Sequence, residues 1–234
     1  MRYKARKLLG VYRERGPEAA AREVAGVLGA RLYRDEEHAV LRKALDAGAS
    51  PVEAHQGLEV RDATEGDHEA IVAFCAAHFP PRVVRYVRNY LANGYRAFLA
   101  FRGGRLIGLF WWVDGEVDAQ HPDLVLHGIR LAPREAYGFA YFVAPEQRGG
   151  GTATEFLARI SRALAGAGYT ALWGWVLVGN RPARWLFRIA GFQEVGRVRV
   201  RMLAWGVALA RRRVLVRNLG LRSPHAFGYR VLLA

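Results

Sequence analysis

The chain has 234 residues, of which 52% are hydrophobic and 12% aromatic, and it carries a net charge of +14. That apolar content suits a packed core and excludes a disordered chain, while a single cysteine, Cys75, excludes an intrachain disulfide and a multi-thiolate metal site. The charge is uneven: residues 1–15 hold six cations against Glu14, residues 195–234 hold nine arginines and no acid, and residues 16–194 balance at 20 cations and 20 anions.

In chain order, residues 1–15 suit a helix with Ala5, Leu8, Leu9 and Tyr12 on one face, and Gly16-Pro17 interrupts it. A second helix carries Ala20, Val24, Val27 and Leu28 at helical spacing, with Gly29 as its cap. A third apolar-charged segment, Leu32–Leu45, closes a basic helical extension over residues 1–50, and Ala47–Gln56 reads as a linker. Deleting residues 1–50 is accordingly expected to spare the domain that follows.

From Gly57 the pattern alternates. Leu58–Arg61 is a strand, Thr64 caps a helix running to about His78, and a second helix over Arg82–Asn93 follows Pro80-Pro81. Tyr95–Phe101 and Arg105–Val113 form a hairpin across Arg102-Gly103-Gly104. Residues 114–124 are acidic and turn-rich, and Val125–Leu131 and Tyr137–Val143 read as strands. A long helix over Gly151–Ala167, a strand at Ala171–Val178, a helix at Arg181–Ala190 and a strand at about Glu194–Leu203 complete the pattern, with one more strand after Trp205-Gly206. This predicts an α/β (α+β) domain over residues 57–210, followed by a basic tail over residues 211–234.

The stretch that carries chemistry is Tyr141-Phe142-Val143-Ala144-Pro145-Glu146-Gln147-Arg148-Gly149-Gly150-Gly151-Thr152-Ala153, an apolar strand, a glycine cluster and the start of an amphipathic helix. Free amides at a helix N-terminus attract anions, and glycines let the backbone approach one closely. A Walker A loop would need Lys-Ser/Thr after Gly151, and a dinucleotide fingerprint would need a third glycine where Thr154 stands.

Read as Arg-x-x-Gly-x-Ala, residues 148–153 resemble the acyl-CoA signature of the GNAT superfamily of N-acyltransferases. Asn180-x-x-Ala183-x-x-Leu186-Phe187-x-x-x-Gly191-Phe192 is similar to that family's second motif, about thirty residues on. The resemblance covers roughly residues 57–208 and implies a mixed, mostly antiparallel central sheet flanked by helices. It further implies that Tyr141, Phe142 and Val143 bind the pantetheine arm of acetyl-CoA, and that the amides of Arg148, Gly149, Gly150, Gly151, Thr152 and Ala153 cradle its pyrophosphate. Asn180 would contact the pantetheine or cap the next helix. No metal is implied.

Two positions depart from the family pattern. Phe187 stands where many members have the tyrosine that protonates the leaving thiolate, which leaves Tyr141, a water or unassisted departure. The strand itself offers no base: Glu135 precedes it, and His121 and His127 are the nearest imidazoles, each also readable as a surface histidine. A lysine-like amine costs about 4 kcal/mol to deprotonate near neutral pH and an α-amine under about 1 kcal/mol. A site without a base therefore points to an acceptor of low pKa, such as an amino sugar or another small, envelope-related amine.

Three readings stay open: such an N-acetyltransferase, a protein or ribosome-associated acetyltransferase, and a non-catalytic acyl-CoA-binding module. No apolar run approaches the ~20 residues that span a bilayer, and no signal-peptide pattern follows the basic start. The expected location is cytoplasmic or peripheral to the inner membrane surface. The basic ends suit contact with anionic membrane or RNA, and a homodimer is open.

Overall fold

The structure is a computed structural model and describes residues 16–18, 33–46, 57–92, 94–115, 121–203, 207–210, 213–217 and 229–233. Its strands are β1 (Tyr33–Ala44), β2 (Leu58–Asp62), β3 (Arg96–Arg102), β4 (Arg105–Asp114), β5 (Glu135–Val143), β6 (Ala171–Leu177), β7 (Gln193–Leu203), β8 (Val207–Ala210), β9 (Arg213–Arg217) and β10 (Tyr229–Leu233). They form one sheet in the order β10-β9-β8-β7-β1-β6-β5-β4-β3-β2. Every pairing is antiparallel except β5 with β6. The helices are α1 (His68–His78), α2 (Pro81–Ala92), α3 (Pro122–His127), α4 (Thr152–Gly166) and α5 (Arg181–Ile189). The expected mixed, mostly antiparallel sheet flanked by helices is what the chain forms.

Two cores lie on the two faces of the sheet. On one, Val40, Leu99, Leu109, Trp111 and Tyr137 pack with Ile71, Phe74 and Val87 of α1 and α2. On the other, Phe98, Phe110, Trp112 and Leu172 pack with Phe156, Leu157, Ile160 and Leu164, the apolar stripe of α4. Cys75 is buried in the first core, and burial pushes its thiol up to about 11, so it is packing rather than a nucleophile.

Three segments differ from the sequence-based expectation. Tyr33–Ala44 is not the last piece of a helical extension. It is a central strand, paired with β6 on one side and β7 on the other. Both of its faces are covered, since Val40 belongs to one core and Ala39 and Leu41 to the other. A strand buried on both faces reads as a short continuous apolar run, which periodicity cannot separate from a helix. The helices expected over residues 1–15 and 17–29 and the linker at 47–56 lie largely outside the described residues.

The second difference is Val125–Leu131, expected as a strand. Pro122 at the first turn, the His121 side chain accepting from the Asp123 amide, and Gly128 at φ 67° instead delimit the short helix α3. The third is the tail, in which β9 and β10 continue the sheet beyond β8. The acid-free C-terminal stretch is also partly neutralised across the ladder: Arg199 pairs with Asp35 at 2.6 Å, and Arg197 lies 3.7 Å from Glu37, both acids belonging to β1. Among the described residues no helix is long and apolar enough to cross a membrane.

Candidate active site

The one parallel pairing in the sheet sets the site. β5 and β6 are bonded only from Glu135–Tyr137 to Ala171–Trp173 and separate beyond that point. The β4–β5 register shifts between Leu109 and Trp111, and opposite that shift Ala140 takes a left-handed conformation at φ 48°. Such a conformation costs a non-glycine residue about 1–2 kcal/mol, and strain of this kind clusters at functional sites. Gly138 is obligatory beside it, because a Cβ there would run into the Phe110 ring. Past the bulge, Phe142 and Val143 pair with β4 on one edge only, so their other edge faces the opening.

At the end of β5 the chain makes a short turn at Pro145–Gln147 and enters the glycine cluster. Gly149, Gly150 and Gly151 all have positive φ, at 111°, 51° and 79°. Their amides donate to no protein acceptor among the described residues, and they converge with the N-terminus of α4 into an anion-binding concavity. The Arg148 Nε donates to the Val143 carbonyl at 2.9 Å and its guanidinium lies over Phe142, which ties the loop back to the strand.

Two adjoining cavities run through the opening. The larger, about 690 Å³, is lined by Tyr141–Val143, Arg148–Thr154, Asn180 and the first turns of α5. The smaller, about 290 Å³, lies between β5 and β6 and shares Tyr141, Asn180, Ala183 and Leu186 with the first. The residues expected to hold acetyl-CoA thus line one continuous channel. The Asn180 Oδ1 accepts from the Ala183 amide at 3.3 Å, so it caps α5 while its amide nitrogen stays available to the channel.

The expected catalytic residues fare differently. Phe187 lines the smaller cavity and packs edge-on against Phe192. The Tyr141 hydroxyl donates to the Ala153 carbonyl at 2.6 Å, and burial pushes its pKa well up, so its proton is committed to the start of α4. Glu135 sits at the closed end of the opening and lines neither cavity. Its carboxylate staples Arg42, the Trp173 indole and the Ala132 amide, and although burial opposes its charge, these donors hold it below the usual carboxylate range. His121 and His127 are buried, not surface residues. Burial takes His121 down to about 4, which leaves it neutral. The His127 Nδ1 donates to the Asp123 carbonyl at 2.7 Å, so its Nε2 receives the proton of the His38 Nδ1 at 2.8 Å.

Sequence reasoning passed over Asp123, which lay in a segment read as acidic turn. α3 places its carboxylate under the point where β5 and β6 part. Its Oδ2 accepts from the Tyr137 hydroxyl of β5 at 2.8 Å and from the Trp175 indole of β6 at 3.0 Å, bridging the two strands. Burial works against its charge, but His121 and His127, where protonated at the acid pH at which a carboxyl titrates, and these two donors outweigh it and hold the pKa below its ordinary value. Asp123 is the only carboxylate lining the smaller cavity among the described residues. The sole hint in the sequence was His121-Pro122-Asp123 as a helix start. No group of residues suited to a metal ion occurs among the described residues.

The model of the acetyltransferase (GNAT) family matches residues 59–192, more than half of the chain. β1 and β7–β10 lie outside that match yet belong to the same sheet. No curated protein matches the sequence. Among solved structures, a GCN5-related glucosamine N-acetyltransferase region of a fungal multi-domain β-N-acetylglucosaminidase superposes with a TM-score of 0.56 at 16% identity, over 80% of this chain and 23% of that one. A GCN5-related N-acetyltransferase from Sphaerobacter thermophilus gives 0.53 at 18% identity, over 80% and 56%. A GNAT-family acetyltransferase from Colwellia psychrerythraea gives 0.51 at 16%, over 76% and 60%. At these identities the likeness is one of fold, and the chain spans less than two thirds of each of these structures.

Proposed function

Because the chain belongs to the GNAT acetyltransferase family, we propose that it moves an acetyl group from acetyl-CoA to a small primary amine of low pKa by direct attack within a ternary complex. The observation that carries this reading is the strand opening that runs into a glycine nest at a helix N-terminus, with one channel joining them. In it the amides of Gly149–Gly151 hold the pyrophosphate, the Thr152 amide being already donated to the Gly149 carbonyl, and the free edge of Tyr141–Val143 pairs with the pantetheine. The thioester then lies at the bulge around Ala140, where backbone amides oppose the negative charge that develops on its oxygen.

Catalysis in this reading rests on proximity and on that oxyanion contact. Thiolate departure needs no dedicated acid, because a thiol pKa near ~8.5 makes a fair leaving group; this agrees with a phenylalanine at position 187 and a tied-up Tyr141. Within the class of small amines, amino sugars and other envelope-related amines are to be tested beside amines with an apolar body. The experiment is calorimetric binding of acetyl-CoA followed by thiol release with a panel of amino sugars, alkyl and arylalkyl amines, amino acids and lysine peptides. Micromolar binding with turnover on a small amine supports the reading. Binding without release on any amine makes the chain a CoA-binding module, and a preference for peptides makes it a protein acetyltransferase.

A further inference from the structure

The smaller cavity has a chemical character that narrows the acceptor. Its walls are apolar and largely aromatic, with Phe110, Phe139, Trp175 and Phe187 prominent, and its polar side chains are few: Asp123, Asn180 and the already committed Tyr141 hydroxyl. Asn180 lies at the end shared with the larger channel, whereas Asp123 lies under the fork of the strands. The two hydrogen bonds of the Asp123 carboxylate both fall on Oδ2, which leaves Oδ1 with capacity for a further donor. Both partners of Oδ2 are rigid ring donors, and Trp175 is itself clamped by stacking on His38 with ring centroids 4.1 Å apart. The carboxylate is thus fixed in place and negative, in a cavity whose lining is rich in aromatic side chains.

Resting on the acyltransferase reading above, we propose that Asp123 is the seat for the acceptor's ammonium group, and that the acceptor is a compact monoamine with an apolar or aromatic body rather than an amino sugar. A sugar ring would bring several hydroxyls against walls whose side chains are mostly apolar and whose few strand-edge groups already serve the donor and the oxyanion in this reading, and each unmet polar group is costly to bury. The seated ammonium gives up one proton to solvent, and the neutral amine attacks the thioester carbon. As the C–N bond forms and the C–S bond breaks, the thiolate leaves with CoA. One of the two protons on the now positive nitrogen passes to Asp123 Oδ1 and from there to water, and the amide keeps the other. During this step the carboxylate opposes the positive charge on nitrogen while the backbone at the bulge opposes the negative charge on oxygen.

The test uses the full chain and four probes: benzylamine and glucosamine as acceptors, and benzyldimethylammonium against benzyl alcohol as a cationic and a neutral ligand that cannot form a stable amide. The expected results are at least a tenfold higher kcat/KM for benzylamine than for glucosamine, and at least tenfold tighter calorimetric binding of the cation than of the alcohol. Asp123→Asn keeps the shape and an acceptor for both ring donors. It should erase the cation preference, lower kcat/KM for benzylamine about 100-fold, and leave acetyl-CoA affinity within twofold. Tyr137→Phe removes one strut without touching the charge and should keep the cation preference. A purely structural Asp123 would weaken cation and alcohol alike, and that result overturns the proposal, as does a preference for glucosamine. Should Asp123→Asn fail to fold, the wild-type ratio of cation to alcohol decides, and a ratio near one overturns the proposal. Failure of acetyl-CoA to bind at all would instead sink the underlying reading, and the ligand-binding ratio separates the two cases.

Discussion

The two ends of the channel are built from different materials. The end assigned to the donor is made of backbone: a strand edge at Tyr141–Val143, three left-handed glycines and a helix start, all within fourteen consecutive residues. The end assigned to the acceptor is made of side chains from β1, α3, β5 and β6, with His38 and His127 in contact across 89 positions of sequence. Backbone geometry is dictated by neighbours in the chain, so the donor end is robust to most side-chain changes and sensitive to changes of backbone conformation. A side-chain cluster has the opposite sensitivities, and it depends on β1 being in place.

The largest effect should come from that dependence. Val40→Asp puts an unpaired charge in a central strand whose neighbours on both sides are covered, at a cost of about 4 kcal/mol or more. Loss of cooperative thermal unfolding is the expected outcome, and deletion of residues 1–46 should act likewise, contrary to what a detachable extension would allow. A deletion variant that folds and binds acetyl-CoA normally would show that β1 is dispensable.

Gly150→Val tests the donor end. At φ 51° the substitution strains the backbone although a Cβ would meet nothing within 4 Å, so about 1–2 kcal/mol of strain falls on the nest itself. Acetyl-CoA affinity should drop at least tenfold while Tm falls by only a few degrees. Equal loss of both would mean that the loop is chiefly a structural turn.

The pH profile distinguishes the two ends without mutation. Asp123 is held below its ordinary value of 3.8, and His121 is held near 4. A carboxylate with a depressed folded pKa contributes stability that is present above the unfolded value and lost as pH falls through the folded one, so Asp123 stays charged through neutrality. Burial also lowers His38. The acid limb of kcat/KM should therefore move with the pKa of the acceptor amine. An inflection fixed near pH 6.5 for acceptors of different basicity would point to an enzyme histidine instead.

The smallest effect should be that of Tyr141→Phe. It removes the hydroxyl donated to Ala153 and costs about 1 kcal/mol of stability. With that proton already committed, kcat should change less than threefold, and a loss beyond tenfold would restore Tyr141 as the acid of thiolate departure.

The sequence alone determined the glycine loop and most of the element order, because a glycine run between an apolar strand and an amphipathic helix fixes φ signs, free amides and a helix start locally. It also determined what is missing, a tyrosine at position 187. Only the tertiary structure decided the place of Tyr33–Ala44, since a strand covered on both faces carries no period of its own, and the helical character of Pro122–His127, where capping outweighed the strand-like composition of Val125–Leu131. It alone set Asp123 beneath the fork between Tyr137 and Trp175. A carboxylate in an acidic turn has no local mark to distinguish it from a solvated one; its meaning comes from two ring donors that the sheet brings to it from 14 and 52 residues away.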